Sequence, residues 1–340
     1  MSGIVSYGYY IPSFRITIKE IADMWNKKAL SIQKSLNMHE KAVSGIDEDS
    51  LTMAYESACH ALLDVKIKRS KIKALFFGTE SPSYAVNPSS TILGDLLGLD
   101  NNYLAYDTQF ACKAATGAII SSIGLLKSNM AEYVLVCASD KATAKPHDAL
   151  EYTAASGSVT LLLGKTDIIL EIVDFESFST DTPDFWRREG IRYPSHGGRF
   201  TGKPSYFYHI EKSTQSLLKK QKLHPEDFKH AVFHMPNGKY PIQIAQSLGF
   251  KKSQIEKSLI VSYLGNSYTA SSLMGLMSVL ETACEGDLIF LASYGSGAGS
   301  DAFVLKVTKN LKKRRRDFKS KLKDKKYINY TTYLKYMNAV

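Results

Sequence analysis

Asn266 lies 154 residues after Cys112, and Ser293 lies the same 154 residues after Ser139. Each pair frames the same pattern. A helix-period run opens at the first residue, and an apolar strand closes just before the second. Those strands are YVLVCA (133–138) and DLIFLA (287–292). A short unbroken apolar run between polar residues marks a strand buried on both faces. The intervening helices match in character, with Leu126 against Leu280. Upstream, KALFFG (73–78) lies on KHAVFH (229–234) at an offset of 156, a drift that one loop difference accounts for. A chain that repeats one order of strands and helices folds as two similar halves related by a pseudo-twofold. Its active site is expected where equivalent helix starts and strand ends face each other.

The remaining segments keep the alternation. Strands are expected at Gly3–Tyr10, Tyr103–Tyr106 and Ala302–Val307, and helices at Ser50–Val65, Tyr208–Lys220 and Lys239–Leu248. A further helix opens at Pro88, a residue suited to helix starts, and runs to Leu97 before Gly98. Such alternation makes an α/β protein whose helices cover sheets. The boundaries read from it are 1–166, 167–310 and a C-terminal tail, 311–340.

Charge first suggests a nucleic-acid partner, because the net charge is +10. Residues 312–326 hold ten Lys/Arg against two Asp, so that segment carries eight of the surplus charges. The body is nearly neutral, and nucleic-acid binding is not expected. Beyond the basic run, Tyr327, Tyr330, Tyr333 and Tyr336 recur every third residue. The basic half reads as a solvated extension, and the tyrosine stripe as a segment that docks on another protein. No apolar run approaches the roughly 18–20 residues that span a bilayer. The first residues lack a basic-then-apolar leader, so a cytoplasmic protein without a membrane partner is expected.

The four cysteines, Cys59, Cys112, Cys137 and Cys284, form neither a CxxC pair nor a zinc-spaced cluster with histidine. No metal site is expected. A free cysteine is ordinarily a small buried hydrophobe. Cys112 differs in its setting, between a strand ending near Tyr106 and a helix starting just after it. A thiolate there meets the positive end of the helix and free N–H groups, and Lys113 adds to this if its amine turns back. From context alone, a packed cysteine and a nucleophile are equally compatible with the sequence.

Glu80 and His234 each follow an apolar strand. A lone acid is mostly a surface group, and a lone histidine mostly structural. At the strand ends of two equivalent halves they become candidates for acid–base work. Asn266 suits a helix cap, but its amide also suits donation to a thioester or ketone oxygen. The run GSGAGS (295–300) is followed by a strand rather than a helix, which argues against a phosphate loop. It reads as a tight turn that lets a substrate lie against the main chain.

Six segments occur in order: GTESPSYAVNPSSTIL, YDTQFACKAATGA, ASDKA, HMPNGKYP, GNSYTASSLMGL and SYGSGAGSDAF. The ordered set resembles the archaeal hydroxymethylglutaryl-CoA synthases over about residues 1–310. The resemblance implies a thiolase fold, with two similar halves layered α-β-α-β-α. It implies the condensation of acetyl-CoA with acetoacetyl-CoA and water in the mevalonate pathway of isoprenoid synthesis. Cys112 would carry the acetyl group, Glu80 would deprotonate its methyl, and His234 would serve the ketone oxygen. The resemblance also places binding roles on Thr153, Arg199, Thr201, Lys239, Asn266 and Ser296, with Arg199 and Lys239 suited to CoA phosphates. It implies no cofactor, since the CoA thioesters are substrates. It further implies a homodimer, associated with acetoacetyl-CoA thiolase through a small zinc-ribbon/OB-fold bridging protein. An initiating ketoacyl-carrier-protein synthase of the same fold is the alternative. It would use Cys112, His234 and Asn266 but has no need of Glu80.

Overall fold

Parity along the apolar strands sets the layers of this computed structural model, which describes residues 1–338. Nine strands form the main sheet: β1 (Gly3–Tyr10), β2 (Ile72–Gly78), β3 (Leu104–Thr108), β4 (Tyr133–Lys141), β5 (Ser156–Gly164), β6 (Leu170–Thr182), β7 (His230–Phe233), β8 (Leu288–Ala292) and β9 (Gly297–Val307). On β2 and β4, Leu75, Phe77, Leu135 and Cys137 pack outward against Leu51, Ala54 and Ala58 of helix α1 (Ser50–Leu62) and Leu93 of α2 (Ser89–Leu96). The alternate residues Ala74, Phe76, Val134 and Val136 pack inward against α3 (Ala114–Lys127). In the second half, Ala231, Phe233, Phe290 and Val304 face outward with α4 (Tyr208–Gln221) and α5 (Tyr240–Ser247). Val232, Ile289, Leu291 and Phe303 face inward, toward α6 (Ser271–Leu280). Period-two alternation on doubly buried strands therefore gives five layers, with α3 and α6 in the middle.

The sheet order is β7-β8-β9-β6-β1-β5-β4-β2-β3. Within the first half, β2 runs parallel to β4, which is antiparallel to β5, which is antiparallel to β1. The second half repeats this in order and direction through β7, β8, β9 and β6. The expected pseudo-twofold is therefore present. The halves join where β1 meets β6 over only two residue pairs, Gly3–Glu171 and Ile4–Leu170. Gly3 is required there, since a Cβ would lie 2.3 Å from the Leu170 carbonyl oxygen. The sequence reading had left strands β5 and β6 unassigned.

The repeat needs one correction of register. The short turns Ala111–Lys113 and Tyr268–Ala270 lead into α3 and α6, which begin at Ala114 and Ser271. The structural counterpart of Cys112 is thus Thr269, 157 residues on, and Asn266 lies on the approach to the turn. The offset of 154 holds at the strand ends because the second half is shorter between helix start and strand end.

The tail is not a solvated extension. Arg315 and Arg316 donate to the carbonyls of Glu281, Ala283, Tyr7 and His60. Residues Lys326–Tyr327 pair with Phe14–Arg15 as a strand. Helix α7 (Tyr330–Tyr336) then places Tyr330, Tyr333 and, just beyond it, Met337 in the central core. The tyrosine stripe does dock, but on its own chain; Ala339 and Val340 lie outside the described residues. Guanidinium groups make this possible, because they reach backbone carbonyls while their charge stays near the surface. Among the described residues no helix is long and apolar enough to cross a membrane.

Candidate active site

Two parallel strand pairs, β2 with β4 and β7 with β8, deliver polar residues at their C-terminal ends. They are Glu80 just past β2, Asp140 near the end of β4, His234 after β7 and Ser293 after β8. Between them sits the turn carrying Cys112. The turn opens with Ala111 in the left-handed region (φ 43°), and its counterpart opens with Tyr268 (φ 46°). Non-glycine residues rarely adopt this conformation, which is found where a fold holds a side chain at a fixed angle. Against the turn lies the β8–β9 hairpin. A Cβ on Gly295 would stand 2.4 Å from the Phe110 carbonyl oxygen and 2.7 Å from Lys113 Cγ. The glycine-rich run thus packs against the turn that carries Cys112, and Ser296 from the same hairpin lines the cavity.

Cys112 is not held as a thiolate. Burial pushes its thiol well above the ordinary value, and the neighbouring Glu80 carboxyl raises it further. The helix start expected to favour the anion is outweighed by these two effects. Nor does Lys113 assist, because its amine pairs with the buried Asp301 carboxylate at 3.1 Å. Glu80 is pushed up to about 8, first by burial and then by the charge of Asp140. Its Oε1 is buried without a hydrogen-bond partner among the described residues. The thiol and the carboxyl therefore both favour the protonated state: burial and the Glu80 carboxyl raise Cys112, while burial and Asp140 raise Glu80 against a hydrogen bond from Cys112 that lowers it.

Asp140 had no role assigned from sequence, although it ends an apolar strand just as Glu80 and His234 follow theirs. Its Oδ1 accepts from Thr79 Oγ1 (2.8 Å), Glu80 N (2.7 Å), Ser81 N (3.0 Å) and Ser81 Oγ (2.7 Å). Its Oδ2 accepts from Thr269 N at 2.9 Å. One carboxylate thus ties the Glu80 loop to the second half's turn. Asp184 does similar work opposite, accepting from Tyr294 Oη (2.6 Å) and Gly297 N (2.9 Å).

His234 is clamped by its backbone, which donates to Ala292 O (2.8 Å) and accepts from Tyr206 Oη (2.6 Å). Burial drives its imidazole down to about 3, so it is neutral at physiological pH. Asn266 Oδ1 caps Tyr268 N at 3.0 Å. The cap uses only the oxygen, so the amide can cap and donate at once.

A cavity of about 290 Å³ collects Cys112, Thr153, Thr201, His234, Asn266 and Ser296. Glu80 lines an adjoining cavity of about 560 Å³, which shares Phe185, Tyr268 and Ser296 with the first. Arg199 and Lys239 are exposed and line neither cavity. They sit at the rim of the first, beside its lining residues Gly198 and Thr201 and its lining residues Asn237 and Tyr240. The described residues contain no cluster of His, Cys, Asp or Glu placed to hold a metal.

Relatives decide which chemistry this constellation serves. Residues 218–307 match the family described as 3-oxoacyl-[acyl-carrier-protein] synthase III, C terminal. The chain is 45 % identical to the hydroxymethylglutaryl-CoA synthase of Archaeoglobus fulgidus over 342 residues, 100 % of this chain and 99 % of the relative. It is equally 45 % identical to that of Methanocaldococcus jannaschii over 344 residues, again 100 % and 99 %. The chain belongs to the hydroxymethylglutaryl-CoA synthase family. A crystal structure of an HMG-CoA synthase complexed with CoA matches with a TM-score of 0.89 at 25 % identity, covering 98 % of this chain and 89 % of that one. MvaS in complex with 3-hydroxy-3-methylglutaryl coenzyme A matches with 0.88 at 23 %, covering 99 % and 91 %. As a family member this synthase is an acyl-transferring condensing enzyme, and its five layers and two similar halves are the thiolase fold.

Proposed function

We propose that this synthase makes 3-hydroxy-3-methylglutaryl-CoA from acetyl-CoA, acetoacetyl-CoA and water through an acetyl thioester on Cys112, with Glu80 and His234 as its acid–base pair. The observation that carries the assignment is the meeting of Glu80, from the adjoining cavity, with Cys112, whose own cavity also holds His234 and Asn266. Cys112 attacks the acetyl carbonyl, and its proton passes by way of neutral His234 to the departing CoA sulfur. The thioester makes the acetyl methyl more acidic, and Glu80 takes a methyl proton. The resulting carbanion bonds to C3 of acetoacetyl-CoA, whose oxygen receives a proton from His234. Asn266 donates to an acyl oxygen. Water then hydrolyses the thioester: its hydroxyl joins the acyl carbon, its proton restores the Cys112 thiol, the proton held by Glu80 passes to His234, and the product carboxylic acid releases the one net proton. Thr153, Thr201 and Ser296 contact the acyl and pantetheine portions, while Arg199 and Lys239 hold CoA phosphates at the rim. The CoA thioesters enter as substrates and the scheme uses no further cofactor.

The ketoacyl-carrier-protein synthase reading is not favoured. A decarboxylating enzyme has no use for a carboxyl pushed up beside its cysteine, and the full-length relatives are of the other kind. We also propose a homodimer formed along the open edge of β3, and association with acetoacetyl-CoA thiolase through a small bridging protein. That association has a chemical motive, since it would draw off an unfavourable intermediate. Isoprenoid synthesis by the mevalonate route is the pathway served.

The deciding experiment is mass spectrometry after mixing with acetyl-CoA alone. One acetyl mass should appear on the peptide containing Cys112, and Cys112→Ala should lose both label and product. Label on Cys59, Cys137 or Cys284 instead would refute the scheme.

A further inference from the structure

Glu151 is fully buried, yet its carboxylate belongs to no step above. Two distant parts of the chain and a neighbouring backbone amide converge on it. Trp25 Nε1 (3.0 Å) and His147 N (2.8 Å) donate to one oxygen, and Tyr330 Oη of the C-terminal helix (2.7 Å) to the other. Beside it, the buried Lys41 amine bonds the Glu151 carbonyl and donates to Tyr333 Oη at 3.1 Å. It also lies 4.6 Å from the centre of the Tyr333 ring. A buried carboxyl and a buried amine are thus completed by two hydroxyls of α7, and an incompletely bonded buried polar group is disfavoured.

The turn that carries Glu151, Ala149–Tyr152, has its other side in the Cys112 cavity. Ala149, Leu150 and Thr153 line that cavity. Thr153 O accepts from Asn266 N (2.8 Å), and Ala155 N donates to Asn266 O (2.9 Å). A shift of the turn therefore carries Asn266 with it. Arg192, in the segment leading to Thr201, donates to Met337 O at 2.9 Å, just beyond the end of α7.

We infer that the C-terminal helix α7 is a positioning element of the acyl-transfer site, with Tyr330 and Tyr333 holding the Leu150–Thr153 wall and Asn266 in place through Glu151 and Lys41. This rests on the reading of the Cys112 cavity as that site. It assigns Tyr330, Tyr333, Lys41 and Glu151 as positioning residues that touch no substrate.

Tyr330→Phe and Tyr333→Phe each remove one oxygen from the full-length protein. Tyr327→Phe is the control: it removes a tail hydroxyl that binds Glu40, away from the cavity. The measurements are thermal melting, kcat and KM for condensation, and Cys112 acetylation in the wild type. A small displacement of an orienting wall should lower kcat by roughly 10-fold or more, with KM changed by less than about threefold. Tyr327→Phe should keep full kcat. Combining Tyr330→Phe with Glu151→Gln should give about the loss of the more severe single variant, because both cut the same strut. If Tyr330→Phe and Tyr333→Phe keep wild-type kcat, the helix is only a fold element and the inference is wrong. If kcat falls equally in Tyr327→Phe, general loosening of the tail explains the loss and the inference is again wrong. Absence of acetyl on Cys112 in the wild type would overturn the site reading and this inference with it.

Discussion

Burial and the nearby Asp140 raise the affinity of Glu80 for a proton, and this sets the pH behaviour of the site. Glu80 titrates at about 8 in the fold, above its ordinary 4.5. An acid whose folded pKa is raised binds protons more tightly in the native state. Its ionisation therefore opposes folding increasingly as pH rises from the unfolded value to the folded one. Glu80→Gln removes that penalty. The variant should melt higher than wild type, by a margin that widens from about pH 4.5 to about pH 8 and then levels off. It should still accept acetyl on Cys112, while condensation falls by roughly 10²–10⁴-fold. In wild type acetylated beforehand, condensation should speed up with pH until about 8, as the base form accumulates. A melting difference that does not vary with pH, or condensation that survives in the variant, would remove Glu80 from this role.

At the scale of elements, the site depends on turns that touch across the pseudo-twofold. Gly295 of the β8–β9 hairpin lies against the Phe110–Lys113 turn with no room for a methyl. Gly295→Ala should destabilise the protein by about 1–3 kcal/mol, the usual range for overpacking. It should also slow acetylation of Cys112, because the turn must move. Equal melting temperatures and acetylation rates for variant and wild type would show that the contact is slack. Strands such as YVLVCA and DLIFLA were legible in sequence because burial on both faces leaves an unbroken apolar run. The candidates Cys112, Glu80 and His234 were legible because polar residues at the ends of such runs stand out. Asp140 and Asp184 were not assigned, since their importance lies in donors from distant segments that only the fold assembles. The fold of the tail is not legible in the sequence, because charge density does not measure solvation. Arg315 and Arg316 instead spend their donors on backbone carbonyls, and Tyr330 and Tyr333 find buried partners in Glu151 and Lys41.

The molecule as a whole leaves one sheet edge open. Strand β3 pairs only with β2, and its outer edge offers unpaired backbone groups to solvent. Leu104 is 48 % exposed and Tyr106 is 37 % exposed, and two positions apart they share a face of the strand. Tyr84 and Val86, also exposed, line or flank the same region. An edge strand that exposes large apolar side chains is normally covered. The cavity holding Glu80 is bounded by Ala105, Tyr106, Asp107 and Thr108 of this strand. A second copy paired along β3 would therefore exclude water from the side of the site where Glu80 takes its proton. Wild type should sediment as a dimer at micromolar concentration. Leu104→Lys combined with Tyr106→Lys should give a folded monomer, since both side chains are already partly exposed and charge at an edge opposes pairing. In that monomer water reaches the Glu80 cavity, burial weakens, and the pH at which condensation levels off should fall below that of the dimer. A wild-type monomer, or a double variant that still dimerises, would send the dimer interface elsewhere. A monomer with an unshifted pH profile would separate the open edge from the chemistry of Glu80.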